Sequence, residues 1–259
     1  MDTTPILSTQ DLSIGYRDNG NPVRQHISVS LDRGSLTCLV GRNGAGKSTL
    51  LRTICGFLAP KAGEVILKGR PLADYSQKEL SRTLGVVLTE IISEIQYLSV
   101  RQTVEMGRYP YCDCFARLDE KDHEYVRQAM ETAGIADLAD RSMARISDGQ
   151  RQKVMIAKAL AQDTDLIVLD EPTSGLDFLD MAARVEIMTV LRRLAHENGK
   201  ALVLSTHDID LAFAFADAMW VMDTAENVFQ AKAPWEDKSA LADSVFGAQS
   251  GLIKDFLNI

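Results

Sequence analysis

The chain has 259 residues, 46% of them hydrophobic and 25% charged, the balance of a globular protein and not of a disordered or low-complexity one. No run approaches about eighteen consecutive apolar residues, so no segment reads as spanning a bilayer. A net charge of −8 disfavours a nucleic-acid partner, whose phosphate backbone calls for a basic face.

The N-terminal MDTTPILSTQDL lacks the basic and apolar regions of a secretory signal, which predicts a cytosolic chain. The first sixty residues read as strands and turns: ILSTQDLSIGY, HISVSL and SLTCLVG are rich in β-branched and apolar residues and are separated by Gly, Asn and Pro. A helix is predicted from Lys47 to about Gly56. GEVILKG is a short strand, SQKELSRT a helix and LGVVLTE a buried strand.

From about Val100 the texture changes. DEKDHEYVRQAMETAG and GQRQKVMIAKALAQ carry apolar residues at helical spacing, which predicts a helical lobe over residues 100–163. Strand and helix then alternate again. DLIVLDE is an apolar run ending in acids, FLDMAARVEIMTVLRRLAHENG is a helix closed by Asn198 and Gly199, and ALVLSTHD is a further buried strand. AMWVMDT and NVFQAK read as closing strands before a short acidic helix. This order predicts an α/β fold, one domain over 1–259. Residues 1–99 and 164–259 form a core with a mostly parallel sheet covered on both faces, and 100–163 an inserted helical subdomain.

The segment from Gly41 through Asn43, Gly44, Ala45, Gly46, Lys47 and Ser48 to Thr49 fits GxxxxGK[ST], after a strand and before a helix. Glycines let backbone N–H groups approach phosphate oxygens, and the helix N-terminus adds a favourable dipole. Lys47 supplies a point charge for β- and γ-phosphates, and the Ser48 hydroxyl is a ligand for Mg²⁺. Asp170 and Glu171 end the strand LIVL, where ligands of open α/β sheets bind. Asp170 is placed to hold the Mg²⁺ through water, and Glu171 to polarise a water for in-line attack on the γ-phosphate of ATP. His207, just past the strand ALVLS, shares an edge with these acids. His26, His123 and His196 read as structural. Cys38, Cys55, Cys112 and Cys114 lack paired CxxC spacing and read as reduced, packed thiols.

These motifs in this order resemble the nucleotide-binding subunits of ATP-binding cassette (ABC) transporters, across nearly the whole chain. ISDGQ matches the family signature LSGGQ at Ser147, Gly149 and Gln150, and Ser174-Gly175-Leu176-Asp177 matches its SALD/SGLD loop. The resemblance implies a P-loop NTPase core with an N-terminal antiparallel β portion. It also implies a homodimer closed over two ATP molecules, in which each signature contacts the nucleotide held by the other copy's loop. Tyr16 falls where an aromatic ring stacks on adenine. Thr89 and Glu90 stand where the family has Gln as a Mg²⁺ and water contact, with Thr89 the metal candidate and Gln96 a third possibility. Asp148 stands where the family commonly has Gly. At the start of the helix RQKVMIAKALA it is expected to cap free N–H groups.

VEMGRYPY, opening the helical lobe, is similar to cassettes serving iron-siderophore, haem and cobalamin uptake. The implied partners are integral membrane permease subunits and, through them, a periplasmic or surface substrate-binding protein. The implied location is the cytoplasmic face of the membrane. The alternatives are a soluble ABC ATPase acting on ribosomes or DNA and an export cassette with a separate permease. The first usually carries tandem cassettes, a long coiled coil or basic extensions.

Overall fold

The computed structural model describes residues 4–16, 20–88, 93–112, 117–173, 181–225, 227–247, 250–251 and 254 of the chain. In chain order the elements are β1 (Leu7–Ile14), β2 (Arg24–Ile27), β3 (Ser30–Leu31), β4 (Leu36–Gly41), α1 (Lys47–Ile54), β5 (Ala62–Leu67) and β6 (Arg70–Pro71). Then come α2 (Gln77–Thr83), β7 (Leu84–Val87), α3 (Val100–Glu105), α4 (Glu120–Thr132), α5 (Asp148–Ala161), β8 (Leu166–Leu169) and α6 (Met181–Asn198). The chain closes with β9 (Ala201–Thr206), α7 (Ile209–Phe215), β10 (Ala218–Met222), β11 (Val228–Lys232) and α8 (Lys238–Phe246). Two compact units emerge, residues 1–75 with 191–259 and residues 76–190.

In the first unit, β4 lies between β9 and β10 and is parallel to both, with Thr37 opposite Val203 on one side and Ala218 on the other. Every residue of β4, β9 and β10 is buried, as strands covered on both faces require, and this explains why TCLV, ALVL and MWVM read as unbroken apolar runs. β11 adds antiparallel to β10. A separate antiparallel sheet runs β2-β1-β5-β6, with β3 also on β1.

HISVSL, read as one strand, is instead split between β2 and β3. Inside β2, His26 takes a left-handed φ of 55° where the β1–β2 register shifts between Leu12 and Ile14, and β2 ends one residue later at Ile27. Thr9 of β1 bridges the interruption: its hydroxyl donates to the Ile27 carbonyl and accepts from the Val29 N–H, both at 3.0 Å. On the other side of β1, where its register with β5 shifts between Gln10 and Ser13, Gly63 has φ +70°, and a Cβ there would lie 2.3 Å from the Asp11 carbonyl oxygen.

In the second unit β7 and β8 are parallel, with Leu84 opposite Leu166 and Val87 opposite Leu169. Helices α3, α4 and α5 pack beside them through Val100, Val104, Val126, Met130, Val154, Ala157 and Leu160, all buried. Each helix starts with a capping box: Ser99 with Gln102, Asp119 with Asp122, and Ser147 with Gln150. In each, side chain and backbone satisfy one another's free donors.

Gly107 fits only as glycine here, since a Cβ would sit 2.2 Å from the Lys158 carbonyl oxygen. That close approach lets the next residue, Arg108, bury its charge. Its Nε donates to Asp122 at 2.8 Å and its Nη1 to the Ala161 carbonyl at 2.7 Å. The rings of Tyr111 and Tyr125 stand 4.1 and 4.2 Å from the guanidinium carbon. The cation thereby caps the negative end of α5. Burial pushes the Asp122 carboxyl up, but the hydrogen bonds and charge of Arg108, with those from Asp119, outweigh it and hold the carboxyl below its ordinary range.

Cys38 and Cys55 are buried thiols outside any disulfide and Cys112 is a half-buried one, whereas Cys114 lies outside the described residues. Burial, with the nearby Asp217 carboxylate, pushes the Cys38 thiol far above its usual range. Among the described residues no helix is long and apolar enough to cross a membrane.

Candidate functional site

The loop expected to bind phosphate, residues 41–49, belongs to the first unit. β4 delivers Gly41 into the turn, where a Cβ would come within 2.9 Å of the Met222 Cβ, so only glycine lets the chain turn beside β10. Gly44 (φ +79°) and Gly46 (φ +105°) take left-handed conformations that L-residues with side chains disfavour. Gly46 is also the N-cap of α1 and makes no side-chain capping bond, the kind of helix start that can receive an anion.

Asn43, Gly44 and Ser48 are exposed, Ala45 and Gly46 half-buried, and Thr49 packs inward at 6% exposure. Lys47 is 5% exposed. Its ammonium donates to the carbonyls of Gly41 at 2.9 Å and Arg42 at 3.2 Å, which keeps the cation at the mouth of its own loop.

A second cation supports the loop from outside the motif. Arg24, the first residue of β2, donates from Nε to the Ala45 carbonyl at 2.9 Å, and its Nη1 is buried with no hydrogen-bond partner among the described residues. The adjacent Val23 lies beside Gly46, where an added Cβ would be 3.0 Å from Val23 Cγ1. Tyr16, two residues beyond β1, is 42% exposed. His207 follows β9 and is exposed, its Nε2 3.7 Å from Asp208 Oδ1.

The other expected residues fall in the second unit. Asp170 is 6% exposed and its N–H continues the β7–β8 ladder to the Val87 carbonyl at 2.9 Å. Glu171 follows with φ 47°, a left-handed conformation that costs a non-glycine residue roughly 1–3 kcal/mol and is concentrated at functional sites.

Ser147, not Asp148, caps α5. The Ser147 hydroxyl accepts from the Gln150 N–H at 3.2 Å, and the Gln150 side chain accepts from the Ser147 N–H at 3.0 Å. Asp148 sits in the first helical turn and pairs with Arg151, so its expected capping role passes to its neighbour. Gly149 and Gln150 are half-buried and Ser147 is exposed. The Ser147 hydroxyl oxygen is engaged as an acceptor, and this leaves its hydrogen available to an anion. Gln96 is exposed, and its carbonyl accepts from the Ser142 hydroxyl at 3.1 Å. Thr89, Glu90 and Asp177 lie outside the described residues.

The structural histidines are all beside carboxylates. His26 meets Asp11 at 2.7 Å and His123 approaches Glu105 at 3.9 Å. His196 meets Asp217 at 2.9 Å, and Asp217 also accepts from the Leu36 N–H at the head of β4.

Residues 24–174 match the family model described as ABC transporter, more than half of the chain. The chain belongs to the ABC transporter family. The ferric enterobactin transport ATP-binding protein of Escherichia coli is 34% identical over 250 residues, 96% of this chain and 90% of that one. The iron(3+)-hydroxamate import ATP-binding protein of Bacillus subtilis is 37% identical over 213 residues, covering 82% and 77%. Among solved structures, cbiO1 from Clostridium perfringens, part of the ABC transporter complex cbiONQ, superposes with a TM-score of 0.77 at 30% identity, covering 98% of this chain and 96% of that one. The cassette is therefore an ATP-hydrolysing ABC subunit with the fold of that family.

Proposed function

We propose that two copies of this cassette close head to tail over two ATP molecules on a membrane permease and power uptake of a ferric siderophore. The observation that carries this reading is the second anion-binding turn at Ser147. It heads a 14-residue helix and keeps a hydroxyl hydrogen, backbone donors and a helix dipole for a phosphate. A chain with one nucleotide loop and one further phosphate turn fits a symmetric pair in which each turn serves the partner's nucleotide. The cargo assignment rests on the relatives, whose names specify ferric enterobactin transport and iron(3+)-hydroxamate import.

In this reading Tyr16 stacks on adenine, the N–H groups from Gly41 to Thr49 wrap the phosphates, and Lys47 leaves its loop carbonyls for the β- and γ-oxygens. The Ser48 hydroxyl and the Asp170 carboxylate are hard oxygen donors, the kind that magnesium takes beside nucleotide phosphates, and the bound ion would neutralise developing charge there. Glu171 orients and deprotonates the attacking water, and His207 donates to the γ-phosphate. Ser147, Gly149 and Gln150 hold that phosphate from the other copy. From the sequence, Asp177 joins the nucleotide contacts and Thr89 the metal candidates, and both lie outside the described residues.

Cells lacking the protein should lose ATP-dependent uptake of radiolabelled iron presented as a hydroxamate or catecholate chelate. The wild-type gene should restore it, and Lys47→Ala should not. Unchanged uptake of every iron chelate tested would refute the cargo assignment.

A further inference from the structure

We infer that Arg24 is a positioning residue for ATP: it orients the phosphate-binding loop from behind by holding the Ala45 carbonyl. In a trans peptide the C=O and the following N–H point in opposite directions. Fixing the Ala45 oxygen on Arg24 Nε at 2.9 Å therefore turns the Gly46 N–H to the opposite side of the peptide, away from Arg24. Gly46 needs such a restraint, because its φ of +105° lies where glycine's backbone is otherwise most free. A guanidinium on the carbonyl also polarises that amide and strengthens its N–H as a donor.

The surroundings of Arg24 bear this out. Its Cγ lies 3.7 Å from the position of a Cβ on Gly46, behind Val23, so the side chain is packed along the loop. Its Nη1 is buried with no hydrogen-bond partner among the described residues, an unfavourable arrangement that a merely solvated surface arginine would not adopt. Lys47 holds the other end of the same turn through the Gly41 and Arg42 carbonyls. Two cations thus bind the loop's carbonyls, and one of them, Arg24, lies outside the GxxxxGK[ST] motif.

The inference rests on residues 41–49 being the nucleotide's phosphate site, and the test separates the two. ATP, ADP and adenosine are titrated calorimetrically into the full chain with magnesium, for wild type, Arg24→Leu and Arg24→Gln, alongside the melting temperature of each without nucleotide. Arg24→Leu should weaken ATP and ADP binding about tenfold, the weight of one charge-assisted hydrogen bond, and leave adenosine binding unchanged. Arg24→Gln, which offers a neutral donor on a shorter stem, keeps any folded protein in the comparison if the leucine variant fails to fold, and should weaken ATP binding by a smaller factor. ATP affinity equal to wild type in a folded variant, or an equal loss for adenosine, would overturn the role of Arg24. Failure of the wild type itself to bind ATP would instead overturn the phosphate site.

Discussion

Ser147 is assigned two tasks, capping α5 and donating to a phosphate, and substitutions can separate them. Ser147→Ala removes the acceptor for the Gln150 N–H and should cost about 1 kcal/mol, or roughly 2–4 °C in melting temperature for a protein of this size. Ser147→Asp restores the cap, since Asp caps as well as Ser, but has no hydrogen to donate and sets a negative charge against the phosphate. Its melting temperature should stay near that of wild type. ATPase activity should nevertheless fall by about a hundredfold or more in both variants, the usual loss on removing one donor to a developing oxyanion. Ser147→Thr, with cap and hydroxyl intact, should keep most activity. The assay is phosphate release by the purified chain at a concentration where two copies associate, with thermal melts in parallel. Near-wild-type hydrolysis by Ser147→Asp would refute the donor role and leave the residue as a cap alone.

Asp148→Gly should keep nearly normal ATPase, because Asp148 is 67% exposed and its partner is Arg151 three residues on. A small drop in melting temperature is expected from the lost first-turn charge, and a large loss of activity in the folded protein would contradict it. Arg108→Met strands the Asp122 carboxylate, which is only 12% exposed, and should cost about 3–5 kcal/mol, roughly 10 °C. Because Arg108 holds the folded Asp122 carboxyl below the ordinary carboxylate range, the stability from this pair is present above that range and is lost as pH falls through the folded pKa. The gap between wild type and Arg108→Met should therefore be widest at neutral pH and narrow below about pH 4, as measured by urea melts. A gap that does not change with pH would contradict the pairing.

Much of this fold is legible because its strands are buried on both faces. TCLV, LIVL and ALVL declare themselves as unbroken apolar runs, and the glycine spacing after TCLV marks a turn that needs left-handed backbone at Gly44 and Gly46. HISVSL misleads because alternation predicts one strand through Ser28 and Val29, whereas the tertiary bonds of Thr9 make an interruption there acceptable. At ISDGQ two adjacent residues are both good caps. Only the reciprocal S-x-x-Q spacing, the signature of a capping box, singles out Ser147. Arg24 leaves no local trace, since it meets Ala45 across 21 positions and no periodicity encodes that. The burial of Arg108 depends on the close approach of Gly107 to α5, a tertiary contact that no local pattern encodes.

In the proposed cycle a pair of cassettes is held shut by ATP and released by Glu171-dependent hydrolysis. Light scattering on size-exclusion-purified Glu171→Gln with ATP and magnesium should therefore show a particle of twice the 28.5 kDa chain that reverts to single chains when ATP is replaced by ADP. A variant that binds ATP and remains at the single-chain mass at every concentration would contradict it.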